Sequence, residues 1–91
     1  MIRSCRDKDV SLLLNRQFSR RLQSIGKTAR IRLALLDSAT SLEDLRLPGL
    51  RLEALKRDRK GQYSIRINDQ FRICFEWSDG DAYNVEIVDY H

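Results

Sequence analysis

The stretch Gln62-Tyr-Ser-Ile-Arg-Ile-Asn68, then Gln70-Phe-Arg-Ile-Cys-Phe-Glu-Trp77, then Ala82-Tyr-Asn-Val-Glu-Ile-Val-Asp-Tyr-His91 decides the fold. Each segment alternates apolar and polar residues, the pattern of a strand with one buried face. Tyr63, Ile65 and Ile67 share one face of the first strand; Phe71, Ile73, Phe75 and Trp77 share one face of the second; Tyr83, Val85 and Ile87 share one face of the third. The other face carries Ser64, Arg66, Arg72, Cys74, Asn84 and Glu86. Asn68-Asp69 and Ser78-Asp79-Gly80-Asp81 supply turn chemistry between the strands. The pattern predicts a three-stranded antiparallel meander that closes on a titratable triplet, Asp89-Tyr90-His91.

Upstream of the meander the period changes. Met1–Cys5 reads as a short strand. Asp7 or Asp9 can cap a first helix whose inward face is Val10, Leu13, Leu14, Gln17 and Phe18. A second helix is expected from about Thr28 to Ala39, with Ile31, Ala34, Leu35 and Ser38 inward, Leu33 and Leu36 beside them, and Arg30 and Arg32 outward. Ser41-Leu-Glu-Asp44 has capping-box spacing and predicts another helical turn. Leu50, Leu52 and Ala54 alternate as a further strand, and Arg57–Gly61 is a charged loop. The expected order is β-α-α-β-β-β-β: an α+β fold with two helices packed on a mostly antiparallel sheet. Its 91 residues form one domain, 1–91.

Composition narrows the function. No apolar run reaches the length of a membrane span. The N-terminus lacks the apolar core of a secretion signal, so a cytoplasmic protein without membrane contact is expected. Cys5 and Cys74 form no Cys-x-x-Cys pair and read as reduced thiols; with one histidine, a metal site is not expected. Residues 1–36 hold nine Lys or Arg and two acids, a net +7, whereas residues 37–91 hold eight and eleven, a net −3. Such a basic half suits nucleic acid, an acidic protein partner or a plain solvated helical face.

Chemistry can sit where ionisable residues gather at strand ends. Lys56 and Arg72 suit charge building on a phosphorus, His91 can move a proton near neutral pH, and Tyr90 can stack on a base or offer a hydroxyl. Each also has an ordinary reading: Lys56 in a plain loop, Arg72 as the cross-strand partner of Glu86, and Asp89-Tyr90-His91 as a solvated terminus. With one histidine, a two-histidine cleavage of RNA is excluded, so an unassisted enzyme should be slow.

The run from Arg51 to Phe75, with the ending Val-Glu-Ile-Val-Asp-Tyr-His, resembles the HigB toxins of the RelE/ParE superfamily of bacterial toxin–antitoxin systems. The motif is Gly, x, Tyr-Ser-Ile, then aromatic-Arg-Ile-x-Phe, then terminal Asp-Tyr-His, and the likeness spans the whole chain. It implies a toxin that cleaves messenger RNA in the ribosomal aminoacyl site, a ribose 2′-hydroxyl attacking the adjacent phosphate without metal or cofactor. It implies a HigA-like helix-turn-helix antitoxin, through which operator DNA is reached. Carried over, Lys56, Arg72, Asp89, Tyr90 and His91 are the catalytic set: Lys56 and Arg72 at the phosphate, His91 for proton transfer, Tyr90 for stacking or hydroxyl assistance, Asp89 for orientation. Where some members read Leu-His-x-Leu-Lys-Gly, this chain has Glu53 for the histidine and Arg57 for the glycine. Glu53 is thus an accessory candidate, either a base or dispensable. From charge, Arg16, Arg20, Arg21, Lys27, Arg30, Arg57 and Arg59 are the candidate RNA and ribosome contacts. The competing readings are a ParE-like toxin that binds DNA gyrase without catalysis, and a non-catalytic basic nucleic-acid-binding domain.

Overall fold

A computed structural model describes residues 1–89; the candidate site residues Tyr90 and His91 lie outside the described residues. Helix α1 is Lys8–Leu14, α2 is Gly26–Ser38, and the strands are β1 Glu53–Ala54, β2 Gln62–Arg66, β3 Phe71–Ser78 and β4 Asp81–Asp89. Single 3-10 turns stand at Leu42–Leu45 and Arg57–Arg59. The sheet is antiparallel throughout, in the order β1-β2-β3-β4. The α+β expectation of two helices on this sheet is met.

The meander follows its alternation through β2 and β3. Ile65 pairs with Ile73, and Ile73 with Ile87, all buried beneath the helices. Tyr63 stacks on Phe75 at 6.2 Å between ring centroids, and Trp77 meets Phe75 edge-on at 6.2 Å. Asn68 Oδ1 accepts from the amides of Gln70 and Phe71 (2.9 and 2.8 Å), which closes the β2–β3 turn. Asp79 and Gly80, with φ of 50° and 81°, form the two-residue β3–β4 turn. At Gly80 a Cβ would lie 3.1 Å from the carbonyl oxygen of Thr40 as well.

Several expectations are corrected. In β4 a bulge lies between the pairs Cys74↔Glu86 and Glu76↔Tyr83. Asn84, with φ of 52°, is the extra residue. One inserted residue reverses the alternation, so Tyr83 leaves the core face and Ala82 enters it, opposite Trp77. Met1–Cys5 is not a strand: two isolated parallel bridges, Ile2↔Ala82 and Cys5↔Val85, tie it to the edge of β4. Between them the Asn84 amide donates instead to Ser4 Oγ (2.8 Å), because the bulge interrupts the ladder. The strand expected over Leu50–Ala54 shrinks to two residues, since Arg51 takes a left-handed conformation (φ 47°) that breaks the extended run.

Helix α1 is capped by Asp7, whose Oδ1 accepts from the Val10 amide at 2.8 Å. It ends four residues earlier than its periodicity suggests. Gln17 N donates to Leu12 O (2.8 Å) and Arg16 N to Leu13 O (3.1 Å), a Schellman termination with Arg16 at φ 57° where glycine is usual. Phe18, expected in the core, is therefore 70% exposed. In α2 the buried stripe is Gly26, Ala29, Leu33 and Leu36; Ile31, expected inward, is 54% exposed, and Arg32, expected outward, is half-buried. The turn after α2 forms as its capping-box spacing predicts. Asp44 Oδ2 accepts from Thr40 N (2.9 Å) and Ser41 N (3.2 Å), and these bonds hold its carboxyl below the ordinary value of 3.8.

Arg16 and Arg57 (φ 56°) both hold conformations that glycine adopts without strain. Arg16→Gly and Arg57→Gly are each expected to raise stability by about 1 kcal/mol, read as a higher urea midpoint at unchanged slope.

Candidate functional site

Strand β3 is buried on both faces. Phe71, Ile73 and Phe75 lie under the helices; Arg72 and Cys74, on the face that looks polar in sequence, are buried too. The segment 51–59 covers that second face. Arg59 Nη1 reaches Gln62 Oε1 (3.0 Å) and Glu86 Oε2 (3.2 Å), and Glu86 also receives Arg6 Nη1 (3.4 Å). Burial pushes the Cys74 thiol up from its ordinary 9.0 and keeps it protonated.

Arg72 is 8% exposed, not solvent-facing as its strand position suggests. A buried guanidinium requires acceptors, and it has them. Nε donates to Ser64 Oγ (2.8 Å), Nη2 to the Arg51 carbonyl (2.6 Å) and, at the limit of a hydrogen bond, to the Ser64 carbonyl (3.5 Å). Glu53 Oε1 lies 3.7 Å from Nη2. Glu86, the cross-strand partner considered from sequence, is held by Arg6 and Arg59 and pairs in register with Cys74. Arg72 forms one wall of a cleft of about 280 Å³ lined by Arg51, Glu53, Arg66, Asn68, Asp69 and Arg72. Arg66 is hydrogen-bonded to Asp69. Three guanidinium-bearing residues around a small polar cleft suit an anionic group with several acceptor oxygens, as a phosphodiester has.

The structure brings Glu53 and Arg72 together, and sequence reasoning missed Ser64, Arg51, Arg66, Asn68 and Asp69. The signal for Ser64 was its place on the polar face of β2, two residues from Arg66, the register partner of Arg72. Lys56 is exposed and precedes the Arg57–Arg59 turn in extended conformation. Asp89 pairs in register with Phe71 rather than Arg72, and its Oδ2 accepts from Gln70 Nε2 (3.0 Å).

The seven candidate RNA contacts divide. Arg16, Lys27 and Arg30 border a groove of about 420 Å³ between α1 and α2, with Leu13, Leu14, Ile31, Leu33 and Ala34 among its lining. Arg20 and Arg57 are exposed. Arg59 is engaged at Glu86. Arg21 ties three elements together: Nε donates to Asp9 Oδ2 (2.8 Å), Nη2 approaches Asp7 (3.5 Å), and both Nη atoms reach the Ile87 carbonyl (3.3 Å). The Arg21 bond, then that from Ser19 (2.8 Å), holds the Asp9 carboxyl below its ordinary 3.8.

The small antiparallel sheet with two helices packed on one face is a fold shared with solved bacterial toxins. The crystal structure of a YafQ mutant from E. coli superposes with a TM-score of 0.60 at 15% identity, covering 98% of this chain and 93% of that one. A chain of the YoeB–YefM complex from Staphylococcus aureus gives 0.58 at 18%, covering 100% of this chain and 98% of that one. In sequence, residues 6–91 match the family described as "RelE-like toxin of type II toxin-antitoxin system HigB". "Endoribonuclease HigB" of Proteus vulgaris is 33% identical over 93 aligned positions, the full length of both chains. "Toxin HigB-1" of Vibrio cholerae is 48% identical over 54 residues, 58% of this chain and 57% of that protein. The chain belongs to the HigB-like toxin family of type II toxin–antitoxin systems.

Arg72→Ala strands the Ser64 hydroxyl and the Arg51 carbonyl, so it is expected to cost about 2 kcal/mol in urea unfolding, whereas Glu53→Gln, at an exposed carboxylate 3.7 Å from Arg72, should cost under about 1 kcal/mol. Asp9 has a lowered folded-state value. Its contribution to stability is therefore present above pH 3.8 and lost as pH falls through the lower folded value. Asp9→Asn is expected to lower the thermal midpoint at pH 7 and to shrink its fall as the pH drops below 3.8.

Proposed function

We propose that this toxin is a ribosome-dependent endoribonuclease that cleaves messenger RNA in the aminoacyl site. The observation that carries the reading is Arg72, buried and fixed at the wall of a cleft that Arg51 and Arg66 also line. A family relative named for endoribonuclease activity, matched along its full length, supports the same reaction.

The reaction is an in-line transesterification. The ribose 2′-hydroxyl loses its proton and attacks the adjacent phosphorus, the bond to the 5′-oxygen breaks, and that oxygen takes a proton as it leaves. The products are a 2′,3′-cyclic phosphate and a 5′-hydroxyl. Arg72 and Lys56 stabilise the charge that builds on the non-bridging oxygens. His91 transfers a proton, Tyr90 stacks on a base or assists with its hydroxyl, and Asp89 orients its neighbours. These last three roles, and that of Lys56, rest on the sequence motif. Glu53, near Arg72 and exposed, is the carboxylate available as base.

With one histidine the chain leans on positioning, and a ribosome that holds the RNA in place supplies it. Arg16, Arg20, Lys27 and Arg30, with Arg57, are the contacts for ribosomal RNA. Arg21 and Arg59 already bind carboxylates and serve that surface by shaping it. The partner that silences the toxin is a HigA-like helix-turn-helix antitoxin, which carries the pair to operator DNA. A protein of this activity works in the cytoplasm.

The test is messenger RNA cleavage on a programmed ribosome complex, beside the same RNA naked. The expected result is cleavage only on the ribosome, with His91→Ala at least a hundredfold slower while its circular dichroism is unchanged. Absence of cleavage by folded wild-type protein would overturn the reading.

A further inference from the structure

Ser64 is the fully buried polar residue at the centre of the outer sheet face. A hydroxyl there is costly unless bonded, and an alanine would pack as well in a plain core. Its Oγ accepts from Arg72 Nε at 2.8 Å. The second acceptor on the same edge of the guanidinium is the carbonyl of Arg51, 2.6 Å from Nη2. Arg51 presents that carbonyl from a left-handed conformation (φ 47°) in a segment that also bonds to β2 through Leu50 O and Arg66 N (2.6 Å). A non-glycine residue in that conformation persists only where its surroundings hold it.

We infer that Ser64 is a positioning residue of the cleavage site: its hydroxyl and the Arg51 carbonyl clamp the Nε–Nη2 edge of Arg72 and so set the plane in which the guanidinium meets the phosphate. The inference rests on the role given to Arg72 above. A guanidinium is planar, so two acceptors along one edge fix both its rotation and its tilt. An ammonium has no such edge. Ser64 itself, wholly buried, does not touch RNA; it acts through Arg72. Positioning errors of about 1 Å can cost on the order of a hundredfold in rate, so a loosened clamp should appear in kcat rather than in KM.

The test is ribosome-programmed cleavage by the intact chain, with kcat and KM measured separately and thermal midpoints recorded. Ser64→Ala is expected to lower kcat by about ten- to a hundredfold at a KM within about twofold of wild type. Ser64→Thr, which keeps the hydroxyl, should recover most of kcat. In an Arg72→Lys background Ser64→Ala should change kcat less than about twofold, because the edge it aligned is gone. If Ser64→Ala keeps the wild-type kcat while Arg72→Lys is impaired, the clamp is overturned and the role of Arg72 stands. If Ser64→Ala slows the Arg72→Lys enzyme as much as the wild type, its effect does not pass through Arg72 and the clamp is likewise overturned. If Arg72→Lys and Arg72→Gln both cleave at the wild-type rate, the role of Arg72 itself fails, and the clamp with it.

Discussion

Strand β3 is paired on both edges and covered on both faces, and the rest of the molecule is arranged around that constraint. Phe71, Ile73 and Phe75 give the helices their surface. Arg72 and Cys74, between them in sequence, require a second cover, which a 91-residue chain builds from the irregular segment 51–59. That segment cannot be a simple strand. It must turn at Arg51 to offer a carbonyl, pair for two residues with β2, and then turn again at Arg57 to bring Arg59 over Glu86. Its two left-handed arginines are the local cost of covering a buried guanidinium with backbone.

The same constraint explains why a charge stands in the interior of so small a domain. A buried arginine adds little stability relative to a well-packed apolar side chain. Its presence is better explained by what a fixed guanidinium can do than by what it contributes to folding. Glu53 sits near it but exposed, so the charge is tempered without being neutralised by an equally buried partner. An incoming phosphate would compete with a carboxylate in water-screened surroundings, a contest that it can win.

The period-2 pattern of β2 and β3, the Asn68 and Asp79-Gly80 turns and the Ser41–Asp44 cap were legible in sequence because each is a local signal with a local cause. Three of the misreadings share one origin: a single residue whose conformation its identity does not announce. Asn84 adds one position to β4 and transfers Tyr83 to the opposite face. Arg16 ends α1 where glycine would have announced the stop, and so leaves Phe18 outside. Arg51 does the same to the strand before Glu53. In α2, apolar residues occupy most of the circumference, so the stripe Ala29-Leu33-Leu36 could not be told from Ile31-Ala34-Leu35 by spacing alone. At the site, Arg72 was legible as a residue but not as a buried one, since an arginine on a polar strand face reads as solvated until the cover over it is known.

The two layers divide the labour that the proposed reaction requires. The α1–α2 groove of the basic half lies on one side of β3, and the arginine-lined cleft lies on the other. Binding energy gathered far from the reacting atoms accelerates chemistry only if a rigid path converts it into orientation at those atoms. Here that path is short. Arg21 bonds α1 to the Ile87 carbonyl of β4, Ile87 pairs with Ile73 of β3, and Arg72 follows from the adjacent position of the same strand. A chain with a single histidine thus carries Arg72 on a strand paired on both edges, where a contact made by the helical layer and the proposed phosphate site are linked by one continuous run of hydrogen bonds.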